Sequence, residues 1–310
     1  MEKFIPTYLK LTEIINSNPN DAEAYYNRGL LIYTFECDFE NSPFQNEDET
    51  EDEWDDIDED AAFSDFEKAI ELNPNLAKAY AMRGNLYLYK AIYWDEDDKS
   101  DQAIADFEKA LFIDNNCKEA YLGKAHYFKH NNEEELAIDF YTKAIAIDNN
   151  YLPAYRKRAT LYYGTDDQKC LSDYNKILEL DPDDHYTRYE RGNWYLIQGE
   201  YLKAIADLTK AIEIINDDSY CFYYHDRGEA YVRTEDYSKA IIDFTKAIEV
   251  SEDDYDYYYY SRGETYVQTG EKQKAIDDFR KVIMIAEEND KTNSGFDYKA
   301  GAEKWIEKLL

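Results

Sequence analysis

The stretch Cys221-Phe-Tyr-Tyr-His-Asp-Arg-Gly-Glu-Ala-Tyr231, followed by Tyr237-Ser-Lys-Ala-Ile-Ile-Asp-Phe-Thr-Lys-Ala-Ile248, decides the fold. Gly228, Ala240 and Ala247 are small, and large aromatic residues stand between them. Counting Gly228 as the eighth place of a unit, that place holds Gly29, Gly84, Ala125, Ala159, Gly192, Gly228 and Gly263 along the chain. The twentieth place holds Ala62, Ala103, Ala137, Cys170, Ala204, Ala240 and Ala275, at steps of 41, 34, 33, 34, 36 and 35 residues. A chain this regular is read first as a repeat array.

Each unit reads as two helices. Ala204, Ile205, Leu208, Ala211 and Ile212 fall at i, i+1, i+4, i+7 and i+8, an apolar stripe on one helical face. Gly199 and Gly270 punctuate the turn between helices, and Pro19, Pro74 and Pro182 follow second helices. Small residues at places 8, 20 and 27 let backbones approach. An aromatic at place 24, such as Phe66, Phe107, Tyr141 or Phe244, fills the adjoining space. Helices of this length are marginal alone, so stacking on neighbours must supply most of the stability.

The period near 34 and the Gly, Tyr, Ala and Phe landmarks resemble the tetratricopeptide repeat family. The resemblance implies an all-α fold, an α-solenoid wound as a right-handed superhelix of about seven helix-turn-helix units. Capping helices at both ends complete one solenoid over residues 1–310. The expected divisions are a cap over 1–20 and units over 22–75, 77–116, 118–150, 152–183, 185–217, 221–253 and 256–288, with a cap over 292–310. The first unit carries an acidic insertion, residues 36–60, with 14 acidic and no basic residues. Such a like-charge block cannot build a core and is expected to be a mobile loop. The second unit carries a shorter insertion within 89–102.

One place departs from the family pattern. Place 7 is Arg28, Arg83, Lys124, Arg158, Arg191, Arg227 and Arg262, where many relatives carry leucine. Place 23 is Asp65, Asp106, Asp173, Asp207, Asp243 and Asp278, with Phe140 in the unit that has lysine. This pattern predicts an Arg–Asp pair tying the two helices of a unit, against the alternative of two separately solvated charges.

Composition narrows the function. The net charge is −33, from 68 acidic and 35 basic residues, which speaks against a basic patch for nucleic acid or anionic membrane. No run of 18 apolar residues and no signal-peptide core is present in the sequence, so a cytoplasmic protein is expected. Cys37, Cys117, Cys170 and Cys221 form no CxxC pair and suit reduced thiols.

Catalytic and metal motifs are missing. There is no glycine-rich phosphate loop, no GxSxG and no HExxH, so no enzyme is expected and no cofactor. Asp56, Asp58 and Asp60 partly mimic a calcium loop, but Ala61 stands where glycine is needed. His126 and His130 have chelating i, i+4 spacing, yet no third ligand is near in sequence, and two polar groove residues are expected instead of a metal site. The family's carboxylate clamp for chaperone tails is not completed. Its places hold Tyr26 and Leu30, Ala81 and Asn85, or Arg156 and Thr160 followed by Glu190, Phe222 and Asp226.

The resemblance further implies that places 2, 5 and 9 of first helices line a concave groove. In units five to seven these are Tyr186, Tyr189 and Asn193, then Phe222, His225 and Glu229, then Tyr257, Tyr260 and Glu264. A repeated aromatic pair beside an acid or amide is expected to bind a protein or peptide segment, one that includes basic residues. The same aromatics packing between helices is the alternative. The expected function is a non-enzymatic scaffold or adaptor. A second reading is a regulatory module that takes a basic protein or cations on its acidic surface and loop.

Overall fold

The structure is a computed structural model that describes residues 4–36, 59–94, 98–215, 220–251, 255–288 and 298–310. Among the described residues it is all-α, with sixteen helices and no strand. A lone helix α1 (Phe4–Ser17) comes first. Seven hairpins follow: α2 (Ala22–Glu36) with α3 (Glu59–Leu72), α4 (Ala77–Tyr93) with α5 (Asp98–Ile113), and α6 (Lys118–His130) with α7 (Glu134–Ile147). Then come α8 (Leu152–Tyr162) with α9 (Asp167–Leu180), α10 (His185–Ile197) with α11 (Tyr201–Ile215), α12 (Cys221–Arg233) with α13 (Tyr237–Val250), and α14 (Asp256–Thr269) with α15 (Lys272–Glu288). A final helix α16 (Tyr298–Leu309) ends the chain. Of the expected acidic loop over 36–60, Glu36 ends α2 and Glu59 and Asp60 open α3, while residues 37–58, like the turn residues 95–97, lie outside the described residues. The helices fall into two compact units, Met1–Asp173 and Tyr174–Leu310, the division passing through α9.

Within each unit the small and large places interlock. A Cβ on Gly228 would lie 2.7 Å from Phe244, one on Gly84 2.7 Å from Phe107, and one on Gly29 3.0 Å from Phe66. The alanines of place 20 and Cys170 have no exposed surface. Cys170 Sγ reaches the Ala159 carbonyl at 3.5 Å, so it serves as one more small packed residue. Successive hairpins are joined by a recurrent Asx turn, in which Asn18, Asn73, Asp114, Asp148 and Asp181 accept from the amide two residues on.

Both terminal helices cover the ends of their units. Phe4 and Ile15 of α1 are buried, and Thr12 accepts from Arg28 at 3.2 Å. Ala302 of α16 is fully buried, and Trp305 stacks on Phe279 with centroids 6.0 Å apart.

The Arg–Asp pairs form in six of the seven hairpins. In each, Arg Nε donates to one carboxylate oxygen at 2.6–2.9 Å and Nη2 to the other at 2.7–2.9 Å. The remaining Nη1 turns to the preceding helix. It reaches Thr12, Thr142, Asn175, Thr209 and Thr245 by hydrogen bonds, and Glu67 at 3.9 Å. Tyrosines one turn away on each side flank the guanidinium of Arg83, Arg158, Arg227 and Arg262, as Tyr224 and Tyr231 do for Arg227 at 5.9 and 6.0 Å, and Tyr25 with Tyr8 of α1 flank Arg28. In unit five Arg188 stands where other units have that first tyrosine, 3.8 Å from Asp207.

The third hairpin replaces this assembly with an apolar one. Phe140 occupies the acid's place and stacks on Phe128, 5.2 Å away and 3° from parallel, while Lys124 lies 5.2 Å from the Phe140 centroid. The chain thus contains its own demonstration that a ring can stand in for a buried ion pair. Arg227 and Asp243 are 15% and 5% exposed, so neither charge is well solvated if its partner is lost. Asp243→Ala is expected to destabilise by about 3 kcal/mol, with less loss in Arg227→Lys with Asp243→Phe, the pairing that unit three carries. Chemical denaturation of the three proteins checks this, and equal losses would count against a buried pair.

The turn inside a hairpin needs one left-handed residue. Gly199 and Gly270 adopt φ of 76° and 78°, but Asn132 and Glu235 hold the same place with φ of 60° and 61°. A side chain there is strained, and glycine relieves it. Glu235→Gly is expected to gain about 0.5–1 kcal/mol, read as a higher denaturation midpoint. A lower midpoint would show that Glu235 is not strained.

Candidate functional site

In the second unit the face shared by α10, α12 and α14 carries the expected groove residues. Helical spacing aligns place 2 with place 6 and place 5 with place 9, one turn apart. Tyr186 is 57% exposed, the most open of the set. Tyr189 is half-buried. It stacks on Tyr223 at 4.2 Å and 3°, meets Phe222 edge-on at 5.0 Å, and donates its hydroxyl to Asp226 Oδ2 at 2.8 Å. Burial, then the Asp226 charge, pushes the Tyr189 phenol up. Asn193 accepts or donates one turn further on, as a hydrogen-bond partner of that same phenol.

His225 sits at the centre. Its Nδ1 lies 3.0 Å from Asp226 Oδ1, its Nε2 3.2 Å from Ser261 Oγ, and Glu229 is 4.0 Å away. Tyr257 meets the imidazole edge-on at 5.1 Å. Tyr260 and Glu264 are differently engaged. Tyr260 packs against Tyr298 at 5.2 Å, and Glu264 accepts from Trp305 Nε1 at 3.1 Å, so α16 stands against both.

Place 6 adds two residues that were read only as unsuited to a carboxylate clamp, Glu190 and Asp226. Glu190 receives hydrogen bonds from Tyr186 and Tyr174, yet burial raises its carboxyl above the ordinary range, and the Asp226 charge adds to that. Asp226 meets the Tyr189 hydroxyl and the imidazole of His225, Glu229 lies 4.0 Å from that imidazole, and no lysine or arginine pairs with Glu190, Asp226 or Glu229 among the described residues. An acid at place 6 of two successive units, each one turn from an aromatic, is the signal in the sequence that marks them.

The first unit shows a different inner face. Place 9 holds Asn85 and His126, whose Oδ1 and Nε2 are enclosed without a hydrogen-bond partner. His126 packs edge-on to Tyr141 at 5.8 Å. No group of three His, Cys, Asp or Glu that could hold a metal occurs among the described residues. Burial, reinforced by Lys157 and Lys129, lowers the His126 pKa from 6.5 to about 3. The folded protein therefore resists a proton that the unfolded chain takes up below pH 6.5, and stability falls as pH drops from 6.5 toward 3. Between pH 7 and 5 the loss from this one group is about 2 kcal/mol. His126→Asn is expected to flatten the pH dependence by that amount in denaturation curves, and an unchanged slope would place the ring in solvent.

Tetratricopeptide repeat models match residues 66–105, 118–151, 183–253 and 257–289, together more than half of the chain. No curated protein matches. Among solved structures, the C-terminal part of a TPR repeat-containing protein from Cytophaga hutchinsonii is similar with a TM-score of 0.58 at 21% identity, over 79% of this chain and 93% of that one. The APC/C hetero-tetramer Cut9–Hcn1 gives 0.56 at 16% identity, over 99% of this chain and 52% of that one. MamA from Desulfovibrio magneticus RS-1 gives 0.52 at 19% identity, over 56% and 97%. Likeness at these identities is likeness of fold. No helix among the described residues is long and apolar enough to cross a membrane. The matched repeats, the helical hairpins and their recurrent contacts together place this chain in the tetratricopeptide repeat family.

Proposed function

We propose that the chain is a non-enzymatic adaptor that takes a protein segment with basic residues on the face of α10, α12 and α14. The family generally mediates protein–protein interactions, and repeat scaffolds of this kind carry function in surface residues. The observation that carries the reading is the combination of an exposed Tyr186 with Tyr189, Phe222 and Tyr257, beside carboxylates with which no lysine or arginine pairs among the described residues. Stiff amphipathic rings offer contact area at little entropic cost. Uncompensated carboxylates, on a chain of net charge −33, favour and steer a cationic partner.

Selection of a displayed random peptide library on the immobilised protein is expected to enrich sequences with lysine or arginine between apolar residues. Tyr186→Ala with Phe222→Ala is expected to weaken the selected peptides about tenfold or more while the helical spectrum holds. Tyr260 is left untouched because α16 packs on it. No basic enrichment, or full binding by the folded double variant, would count against the reading.

A further inference from the structure

Resting on the inner-face reading above, we propose a more specific feature: Tyr186, Tyr189 and Phe222, with Glu190 and Asp226, form a subsite for an arginine side chain of the bound segment. The chain itself supplies the comparison. In six hairpins a half-buried guanidinium meets a carboxylate through two parallel hydrogen bonds and lies beside tyrosine rings one turn away, as Arg227 does with Asp243, Tyr224 and Tyr231. Rings to cover the planar face and a carboxylate to meet the edge are what a guanidinium requires.

The same components recur on α10 and α12 with no guanidinium among them. Phe222 and Tyr189 meet edge to face at 5.0 Å, one face of Tyr189 lies against Tyr223 at 4.2 Å, and Tyr186 is 57% exposed. Asp226 lies one turn from Phe222, and Glu190 one turn from Tyr186, so each acid has a ring beside it on its own helix. Tyr189 and His225 fix Asp226 from two sides, at 2.8 and 3.0 Å. The acids are thereby held in place before a ligand arrives, which cuts the ordering cost of binding. Burial, with the Asp226 charge adding to it, disfavours the ionised form of Glu190, and an incoming guanidinium offsets that cost. Arginine suits the site better than lysine, because a planar, weakly hydrated fork can stack on a ring and span an acid at once, whereas an ammonium is a compact, strongly hydrated charge.

Blocked tripeptides acetyl-Leu-X-Leu-amide, with X as arginine, lysine, citrulline or norleucine, test this on the full chain by amide chemical-shift titration. The arginine peptide is expected to shift amides of α10 and α12 and to bind about tenfold more tightly than the citrulline peptide, which keeps the shape and loses the charge. Glu190→Gln with Asp226→Asn is expected to erase that preference. Should the double variant unfold, Glu190→Gln alone, which leaves the Asp226 bonds intact, is expected to reduce it. Equal affinity for arginine and citrulline peptides, with shifts on α10 and α12, would overturn the arginine subsite and leave the inner-face reading standing. Equal affinity for arginine and lysine would overturn the guanidinium assignment in favour of a general cation site. No shifts on α10 or α12 with any of the peptides would overturn both.

Discussion

The guanidinium–carboxylate pair at places 7 and 23 is the contact on which the rest of the repeat depends. It joins the two helices of a hairpin next to the glycine and aromatic that set their separation. Its third nitrogen reaches back to the helix before, so one side chain fixes both the hairpin and its attachment to its predecessor. Desolvating an ion pair is costly, and an apolar substitute is often as stable. The third hairpin, with Phe140 in the acid's place, shows that this chain uses both solutions. What the ion pair adds over the ring is direction: five donors in a fixed fork accept only one relative placement of three helices.

Much of this was legible in the residues. A period of about 34, small places that recur in register and apolar stripes at helical spacing specify helical hairpins without further information. The Arg–Asp pairing could be anticipated because Lys124 and Phe140 change together in one unit. The reach of Nη1 to Thr209 or Asn175 could not, since it depends on how successive hairpins stack. The left-handed turn residue was readable where it is glycine, and hidden at Asn132 and Glu235, where the fold overrides local preference.

The candidate site was legible in part for a related reason. Places 2, 5 and 9 follow from helical periodicity, and contacts between neighbouring first helices bring Tyr189 against Phe222 and His225 against Tyr257. Periodicity does not say which neighbour a ring will find. Tyr189 and Tyr260 hold the same place in their units, yet one packs on Tyr223 and bonds Asp226, while the other meets Tyr298. Nor does it reveal charge balance. Glu190 and Asp226 stand out once Arg191, Arg227 and Arg262 are seen to be committed to Asp207, Asp243 and Asp278.

The seating of α16 has a consequence for any molecule that approaches this face. Trp305 and Tyr298 already occupy Glu264 and Tyr260, and they do so on a helix joined to the same chain. A segment of the same chain packs at an effective concentration on the order of millimolar, so these contacts cost little in lost freedom. Its hold on Glu264 combines an aromatic ring, stacked on Phe279, with a nitrogen-bound proton donated to the carboxylate. The last repeat thus spends its inward ring and acid on its own cap, and Tyr260 and Glu264 serve as packing surface for α16.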